Sequence, residues 1–262
     1  MRLDTLMVKK NLVSSRQRAI ELIIKGQVIV NDKVCSKPSK EFEDEDEITI
    51  QGNQLKYVGR GGLKLEKMIC HSKIILKDLI CMDIGASTGG FTDCMLQNGA
   101  KKVYAVDVGH SQLSEKLKND SRVTNLEKTD IRTLPYENIT DIIDFITVDV
   151  SFISLHLILK DIFRFLKDNG YAVVLIKPQF EAGKENICKN GIVKSKKVHI
   201  NILKNIESEF HKAGFFLEEI IVSPIRGGSG NIEYVSLIKK SNVLQNKVFD
   251  FYEIVEKAFS DS

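Results

Sequence analysis

Apolar and polar residues alternate with two different periods along the chain, and the change of period divides it into two parts. Before about residue 57, apolar residues recur at helical spacing in two short segments, the second being SRQRAIELIIKG. Asp4 is expected to cap the first helix, Ser14 or Ser15 the second, and Gly26 to end it. The run QVIVNDKVCS predicts a hairpin that turns at Asn31-Asp32, and a last short strand, EITI, follows. This part of the chain therefore predicts a small α+β domain.

From about residue 79, apolar runs alternate with longer helical segments. Six runs predict strands: LICMDIG, VYAVDVG, IDFITVDVS, YAVVLIKP, FFLEEIIVSP and EYVSLI. The central runs have too few polar residues for a sheet with one face exposed to solvent, so we expect mostly parallel strands buried on both faces. Helices are predicted at FTDCMLQNG, SQLSEKLKND, SLHLILKDIFRFLKDNG and SKKVHINILKNIESEFHKAG. The pattern is that of a doubly wound α/β domain, which binds ligands beyond the carboxyl ends of its strands.

The end of the chain, residues 241–262, has apolar residues at helical spacing. They are Val248, Tyr252, Val255 and Phe259, and acidic residues lie among them. This predicts a helix that packs on the domain rather than on a membrane.

Composition excludes several classes of protein. Hydrophobic residues make up 43% of the chain and charged residues 28%, as in a globular protein. We find no apolar run of ~18 residues that would span a membrane, and the first residues do not read as a secretory signal. The five cysteines are widely spaced without a CxxC, which supports neither a disulfide framework nor a metal site. A reducing cytoplasm is the expected location.

The small net charge of +3 hides a strong segregation of charge. Residues 1–40 hold nine Lys and Arg against three acids, a balance of +6, which six acids in residues 41–47 cancel. Residues 184–197 carry five Lys and one Glu, a balance of +4. Basic segments of this kind indicate a polyanionic partner such as nucleic acid.

A glycine-bearing loop follows the first predicted strand of the larger part. It runs through Asp83, Gly85, Ala86, Ser87, Thr88, Gly89, Gly90 and Phe91. Three interpretations compete: a dinucleotide fingerprint, which lacks its second glycine; a GxSxG nucleophile elbow; and the S-adenosylmethionine loop of Rossmann-like methyltransferases. The elbow needs a later histidine, and His199 and His211 both fall within a predicted helix.

Acids at the ends of later strands favour the methyltransferase interpretation. Asp107 follows the second strand, 22 residues after Gly85, where a carboxylate can accept hydrogen bonds from both ribose hydroxyls of the cofactor. Asp130 is expected near the adenine amino group. Their neighbours Val108 and Ile131 are included in the predicted cofactor site. The alternative that Asp107 has only a structural role, as the cap of a helix at Ser111, stays open.

Further charged residues stand at strand ends. Asp149 and Lys177 each close a buried run, and Glu233 opens the last strand. Partial burial and neighbouring positive charge favour the neutral form of a lysine amine, which can then act as a base. A lysine that merely reaches the surface is the alternative.

The first part of the chain resembles an S4 RNA-binding domain. The resemblance rests on RLD at the start, SRxxAxxLIxxGxVxVN in the middle and KPS after the hairpin. It implies RNA contacts by Arg2, Arg16, Arg18 and Lys25.

The second part resembles the FtsJ-like RNA ribose 2′-O-methyltransferases, whose K-D-K-E tetrad would here be Lys64, Asp149, Lys177 and Glu233. Together, the S4 domain and the motifs YVGRGGLKL, DIGASTGGFTD, VDVSFISL, IKPQFE and GNIEY resemble the TlyA (haemolysin A) family. The resemblance implies an S4 domain over 1–57, a linker over 58–64 and a Rossmann-like, S-adenosylmethionine-dependent domain with a doubly wound, mostly parallel seven-stranded sheet over 65–262. Gly61 and Gly62 stand where alanine is frequent in the family, which predicts a loose hinge before Lys64.

The resemblance also implies an activity and a partner. The expected reaction is methylation of cytidine 2′-hydroxyls of ribosomal RNA in assembled ribosomal subunits, with S-adenosyl-L-methionine as cofactor and no metal. Lys177 is the expected base, oriented by Asp149, which would also contact the cofactor. Lys64 would assist Lys177, and Glu233 would hold a lysine in place. Arg60, Lys184, Lys189 and Arg226 are expected to extend the RNA surface.

Three other classes remain as alternatives. A membrane-lytic haemolysin lacks any supporting span or strongly amphipathic cationic helix. A non-catalytic RNA-binding assembly factor would not need a lysine at the end of a buried strand. An esterase would use Ser87.

Overall fold

The structure is a computed structural model that describes residues 1–10, 12–13, 15–50, 56–227, 230–241 and 247–260. The chain folds as two separate units, Met1–Lys56 and Tyr57–Ser262. The second unit therefore includes the predicted linker over 58–64. Most of that segment has packed onto the larger domain, since Tyr57 is buried and Lys64 already lies in a helix.

The first unit packs two helices beside a small sheet. Its elements are α1 (Leu3–Lys9), α2 (Arg16–Ile24), β1 (Val28–Val30), β2 (Lys33–Cys35) and β3 (Ile48–Ile50). Strand β1 is central and antiparallel to both neighbours. Asn31 and Asp32 both have positive φ, as a two-residue hairpin requires, which confirms the predicted turn.

The N-caps of the two helices of this unit are predicted correctly in one of two cases, and Gly26 follows the end of α2 with a positive φ, as predicted. Ser15 caps α2 by accepting a hydrogen bond from the Arg18 N–H, whereas Ser14 lies outside the described residues. The prediction that Asp4 caps α1 is wrong, because Asp4 is the second residue of the helix and Arg2 is its N-cap. The Asp4 carboxylate is fully buried and binds two arginines instead.

The second unit contains a seven-stranded sheet in the order β6-β5-β4-β7-β8-β10-β9. Its strands are β4 (Ile80–Ile84), β5 (Lys102–Val106), β6 (Val123–Leu126), β7 (Ile143–Val148), β8 (Leu166–Ile176), β9 (Phe215–Val222) and β10 (Tyr234–Lys240). Its helices are α3 (Gly62–Ser72), α4 (Gly90–Gln97), α5 (Glu115–Lys118), α6 (Leu159–Phe165), α7 (Pro178–Glu181), α8 (Lys196–Lys212) and α9 (Phe251–Ser260). Only β10 runs antiparallel to its neighbours, so the sheet is mostly parallel, as predicted.

Both faces of this sheet are covered. Along β8, Val174 and Ile176 enter one apolar core, whereas Val173 and Leu175 enter the other. The alternation explains why the central runs show no polar face, and it confirms the doubly wound arrangement. The order of the parallel strands reverses between β4 and β7, where such folds bind their ligands.

Three predicted helices differ from the structure. The helix expected over SQLSEKLKND is shorter, since α5 covers only Glu115–Lys118 and Ser111 has a positive φ. The helix expected through Gly170 ends at Phe165, because Leu166 pairs with Ile143 and Asn169 adopts a positive φ that breaks a helix. The last helix buries Phe251 and Val255 but exposes Tyr252, and Val248 lies before the helix and is exposed. The predicted apolar face is therefore only partly right. Residues 242–246 and 261–262 of that segment lie outside the described residues. Within the described residues, no helix combines the length and apolar character needed to cross a membrane.

Candidate active site

The loop between β4 and α4 is held close to the chain that follows β7. Gly85 has a φ of +83°, and a Cβ added there would lie 2.6 Å from the carbonyl oxygen of Asp149. Both the conformation and the space therefore require glycine. The next loop residues attach to β5, because the Ser87 N–H donates to Asp107 Oδ2 at 2.7 Å. The loop is thereby tied to the two strands that flank it.

The acids predicted at successive strand ends do meet at one edge of the sheet. Asp107 follows β5, and its second oxygen accepts the Gly109 N–H at 2.6 Å. Each carboxylate oxygen has more than one lone pair, so Asp107 can accept further hydrogen bonds. Asp130 follows β6 and pairs with Arg132 at 2.5 Å, which lowers the pKa of its carboxyl.

These residues line a pocket of about 730 Å³ at the carboxyl ends of β4, β5, β6 and β7. Its lining includes Gly85, Ser87, Asp107, Val108, Asp130, Ile131, Asp149, Ser151, Phe152 and Ser154. A nucleoside-sized ligand fits this volume. The donor set suits S-adenosylmethionine, because Asp107 presents carboxylate oxygens for ribose hydroxyls and Val108 and Ile131 present apolar surface for a purine ring.

Asp83, also predicted to bind the cofactor, is fully buried and does not line the described pocket. Its carboxylate accepts hydrogen bonds from Thr92 Oγ1 at 2.6 Å and Thr147 Oγ1 at 2.9 Å. Burial raises the pKa of Asp83 to about 6. Asp83 thus joins β4, β7 and α4 beneath the loop.

The four tetrad residues come together as a chain of alternating charges. Lys64 Nζ lies 2.6 Å from Glu233 Oε2 and 3.7 Å from Asp149 Oδ2, and Asp149 Oδ1 lies 2.5 Å from Lys177 Nζ. Lys64, Lys177 and Glu233 are 7%, 8% and 3% exposed. Buried charges are costly unless paired, and this chain of two cations and two anions is neutral.

Lys64 reaches the tetrad from the first turn of α3, and glycines allow the approach. A Cβ on Gly62 would lie 2.5 Å from the Tyr57 ring and 2.7 Å from the Gly90 carbonyl oxygen. Gly62 is therefore tightly packed, which contradicts the prediction of a loose hinge. The Val58 N–H also donates to Asp93 Oδ2 at 2.9 Å, which fastens this segment to α4.

A second cavity, of about 190 Å³, connects the tetrad to the loop. Its lining includes Gly61, Gly85, Ala86, Ser87, Thr88, Gly90, Phe91, Asp149, Ser151 and Lys177. Gly85, Ser87, Asp149 and Ser151 also line the larger pocket, so the two spaces adjoin. Of the tetrad, Asp149 and Lys177 are among the described residues that line these two cavities, and Lys64 and Glu233 are not. Lys64 contacts Asp149, and Glu233 contacts Lys64.

Three residues of the site are missing from the sequence-based prediction. Ser151 Oγ accepts a hydrogen bond from Lys177 Nζ at 3.0 Å. Phe152 is 91% exposed with a φ of +63°, and its ring lies 5.1 Å from that of Phe180. A bulky residue in the left-handed region is strained, and exposed aromatic rings are suited to stacking on nucleobases. Hydrophobic periodicity carries no signal for them, and the motifs VDVSFISL and IKPQFE that contain them entered the prediction only through the family resemblance.

The esterase interpretation finds no support in the geometry. Among the described residues that line the two cavities at Ser87, none is a histidine. His199 is buried and hydrogen-bonded to Tyr234 Oη at 2.8 Å and the Val193 carbonyl oxygen at 3.0 Å.

The described residues contain no cluster of three or more His, Cys, Asp or Glu arranged to hold a metal ion.

The predicted RNA-binding residues of the first unit form ion pairs within it. Arg2 and Arg16 both bind the buried Asp4, at 2.9 and 2.8 Å, and lower the pKa of its carboxyl. Arg18 and Lys25 both bind Glu21. The side chains of Arg2, Arg16 and Lys25 remain 43%, 56% and 58% exposed, whereas that of Arg18 is 16% exposed. Two carboxylates thus fix four cations, and three of these keep a face toward solvent.

The predicted RNA-binding residues of the second unit, Arg60, Lys184, Lys189 and Arg226, are all exposed. Arg226 also donates to the Gly230 carbonyl oxygen at 3.1 Å. Their positions are compatible with an RNA surface, and their role stays a prediction.

Comparison with known families assigns both parts of the chain. The profile of the FtsJ-like methyltransferases matches residues 57–240, and that of the S4 domain matches residues 1–48. The first match alone covers more than half of the chain.

Individual proteins are similar over nearly the whole length. Hemolysin A of Brachyspira hyodysenteriae is 45% identical over 238 residues, which are 90% of this chain and 98% of that protein. The 16S/23S rRNA (cytidine-2′-O)-methyltransferase TlyA of Mycobacterium tuberculosis is 36% identical over 234 residues, 89% of this chain and 87% of that one. A solved structure described as "Putative hemolysin from Streptococcus thermophilus" is 42% identical with a TM-score of 0.82, covering 100% of this chain and 96% of that one.

Proposed function

We propose that this chain, which belongs to the TlyA (haemolysin A) family of FtsJ-like methyltransferases with an S4 domain, methylates the 2′-hydroxyl of a cytidine ribose in ribosomal RNA within an assembled subunit. The observation that carries the proposal is the pairing of Lys177 with Asp149 at a cavity that adjoins the larger pocket. Cytidine as the target nucleoside is supported by the name of the Mycobacterium tuberculosis relative. Such a substrate implies a cytoplasmic enzyme.

The larger pocket is the proposed cofactor site. Asp107 would accept the ribose hydroxyls, Val108 and Ile131 would contact the base, and the backbone at Gly85 would allow close approach. Asp149 would border the cofactor as well as Lys177. S-adenosylmethionine supplies an electrophilic methyl group on a positively charged sulfur atom, which leaves as a neutral thioether.

Lys177 is the proposed general base. A neutral ribose hydroxyl is a poor nucleophile, so its proton must leave as the oxygen attacks. The neutral amine of Lys177 would accept that proton, and Asp149 would stabilise the resulting ammonium across 2.5 Å. Lys64 and Glu233 are positioning residues in this scheme, because Lys64 contacts Asp149, Glu233 contacts Lys64, and neither is among the described lining of the two cavities. Most of the remaining rate enhancement would come from holding the two substrates in line.

Recognition of RNA is assigned to the exposed cations. Arg2, Arg16 and Lys25 of the first unit would contact phosphates, and the basic segment 184–197 would add to the surface. Phosphate contacts of this kind weaken steeply with salt. Phe152 would stack on a base near the target ribose.

The test is methylation of purified ribosomal subunits with labelled S-adenosylmethionine, followed by mapping of the modified ribose. We expect one or a few 2′-O-methylcytidines, and we expect Lys177→Met to abolish incorporation while calorimetry still detects cofactor binding. Absence of incorporation into any RNA, with cofactor binding intact, would contradict the proposal. Tight binding to subunits without incorporation would favour the assembly-factor alternative, and near-normal turnover of Lys177→Met would remove Lys177 from its role.

A further inference from the structure

The amine of Lys177 is held by two partners, and only one of them belongs to the tetrad. Nζ lies 2.5 Å from Asp149 Oδ1 and donates to Ser151 Oγ at 3.0 Å. Ser151 is exposed and lines both cavities. Its hydroxyl therefore stands where the reacting groups are expected to meet.

The two contacts matter because of the geometry of an amine. The nitrogen of lysine is tetrahedral, with Cε in one direction and three directions left. The ammonium form fills these three with N–H bonds, whereas the neutral amine has two N–H bonds and one lone pair. The contact with Asp149 is an ion pair, whereas the contact with Ser151 is a hydrogen bond. Ser151 accepts one N–H, and the negative Asp149 oxygen repels the lone pair, so the lone pair takes the remaining direction. Lys177 lines the smaller cavity, from which a ribose hydroxyl would approach the amine.

We propose that Ser151 is a positioning residue for proton transfer, because it accepts one N–H of Lys177 and thereby fixes the direction of the lone pair. This inference rests on the proposed function of Lys177. The hydroxyl proton moves to Nζ, which becomes an ammonium, and the oxygen forms its bond to the methyl carbon as the carbon–sulfur bond breaks. With Asp149 alone as partner, the amine could rotate about Cε–Nζ and turn its lone pair away.

The backbone around Ser151 is fixed at both ends. Upstream, the Asp149 N–H donates to the Ile84 carbonyl oxygen at 2.9 Å. Downstream, Glu181 accepts the Ser154 hydroxyl at 2.5 Å and the Leu155 N–H at 2.9 Å. Glu181 ends α7, the helix that begins directly after Lys177. The loop that carries Ser151 is thus attached to the chain that carries Lys177, so the distance between them is set by backbone contacts.

The charged surroundings of Lys177 distinguish positioning from a change of protonation. Asp149 is the charged group that contacts Nζ, Lys64 and Glu233 follow behind it, and the Phe180 ring centroid lies 6.0 Å away. Ser151 is neutral. Its removal should leave the charge balance around Lys177 nearly unchanged and alter mainly the orientation of the amine.

The experiment compares Ser151→Ala, Ser151→Thr and the control Ser72→Ala in the full-length protein. Ser72 ends α3, and its hydroxyl contacts Met68 Sδ at 3.2 Å. For each variant, calorimetry gives the Kd of S-adenosylmethionine, and steady-state assays on ribosomal subunits give kcat and KM between pH 6 and 10. Thermal melts establish that each variant is folded.

We expect Ser151→Ala to lower kcat by roughly 10- to 100-fold, the range for loss of one hydrogen bond to a charged group. Kd and KM should change little, and Thr should restore most of the rate because it keeps the hydroxyl. The loss should persist across the whole pH range, because the amine is misdirected rather than changed in charge.

Four outcomes would overturn the inference. An unchanged kcat in Ser151→Ala would show that the hydroxyl is dispensable. A profile that merely moves along the pH axis and reaches the wild-type limit would assign Ser151 to protonation rather than position. A raised Kd with unchanged kcat would make it a cofactor contact. If Ser151→Ala does not fold, a Thr variant that is folded and inactive also refutes the inference. Loss of activity in Lys177→Met alongside an active Ser151→Ala would leave the proposed function standing and reject only this inference.

Discussion

Asp83 provides a test of the electrostatics under the candidate cofactor loop. Its carboxylate is fully buried between two threonine hydroxyls, and burial raises its pKa from 3.8 to about 6. The folded protein therefore keeps the proton up to about pH 6, whereas the unfolded chain releases it near pH 4. Ionised Asp83 consequently destabilises the folded state. This penalty is absent below the unfolded pKa, develops as the pH rises through the interval, and is complete above the folded pKa.

The magnitude follows from the separation of the two pKa values. A difference of ~2 pH units corresponds to about 3 kcal/mol at roughly 1.4 kcal/mol per unit. Asp83→Asn removes the ionisation while keeping the shape, and its amide can accept from one threonine and donate to the other. We expect the variant to match the wild type near pH 4 and to be more stable by about 3 kcal/mol at pH 7.

Urea unfolding followed by far-UV circular dichroism, between pH 4 and pH 8, measures this difference, and circular dichroism suits a chain with no tryptophan. Asp120→Asn is the control of opposite sign. The Arg122 side chain lowers the pKa of Asp120, so ionised Asp120 stabilises the fold and that stability is lost in acid. The control should be less stable than the wild type throughout this range, because its gap closes only as the pH falls below the unfolded pKa of about 4. A gap between Asp83→Asn and wild type that stays constant, or shrinks as the pH rises, would refute the reasoning.

Three further predictions concern the site itself. Asp107→Asn should raise the Kd of S-adenosylmethionine, measured by calorimetry, about 10- to 100-fold, because the amide keeps only one oxygen that can accept hydrogen bonds from the loop and from the ribose. An unchanged Kd would remove Asp107 from the site. Phe152→Ala should lower kcat/KM for RNA by roughly 5- to 150-fold, the worth of ~1–3 kcal/mol for one stacked base, and Phe152→Trp should retain activity; equal loss in both variants would contradict stacking. Glu233→Gln should destabilise the fold by about 3–5 kcal/mol in urea unfolding and lower kcat, because it leaves the buried Lys64 charge uncompensated; an unchanged midpoint would indicate that Lys64 finds another partner.

The fold was predictable because its signals are local and repeated. Each central strand is an apolar run that ends in a polar residue, and the carboxyl ends of parallel strands converge. Asp107, Asp149 and Lys177 could therefore be assigned to one edge of the sheet from the order of the residues alone. Asp130 follows β6, whose sequence VTNL is not among the predicted apolar runs. Lys64 and Glu233 come from distant parts of the chain, and they were assigned through resemblance to a family rather than through periodicity.

What the sequence did not predict depends on three-dimensional partners. Asp4 resembles an N-cap in sequence, but Arg2 and Arg16 draw its carboxylate into the core. The helix before β8 ends early because Leu166 pairs with Ile143, a contact between residues far apart in the chain. The roles of Ser151 and Phe152 depend on Lys177 and Phe180, which lie at the start of α7 and are distant from them in the chain.

The arrangement of the tetrad explains why two of its members stand behind the cavities. Asp149 lines both cavities, and its backbone is held at two points. Its N–H donates to the Ile84 carbonyl oxygen, and Gly85 packs against the Asp149 carbonyl oxygen. Two buried ammonium groups would compete for this one carboxylate. Glu233 takes Lys64 at 2.6 Å, while Lys64 stays 3.7 Å from Asp149 Oδ2, which leaves Oδ1 to Lys177 at 2.5 Å. Glu233 therefore acts on the amine that faces the cavity through Lys64 and Asp149, without contacting that amine.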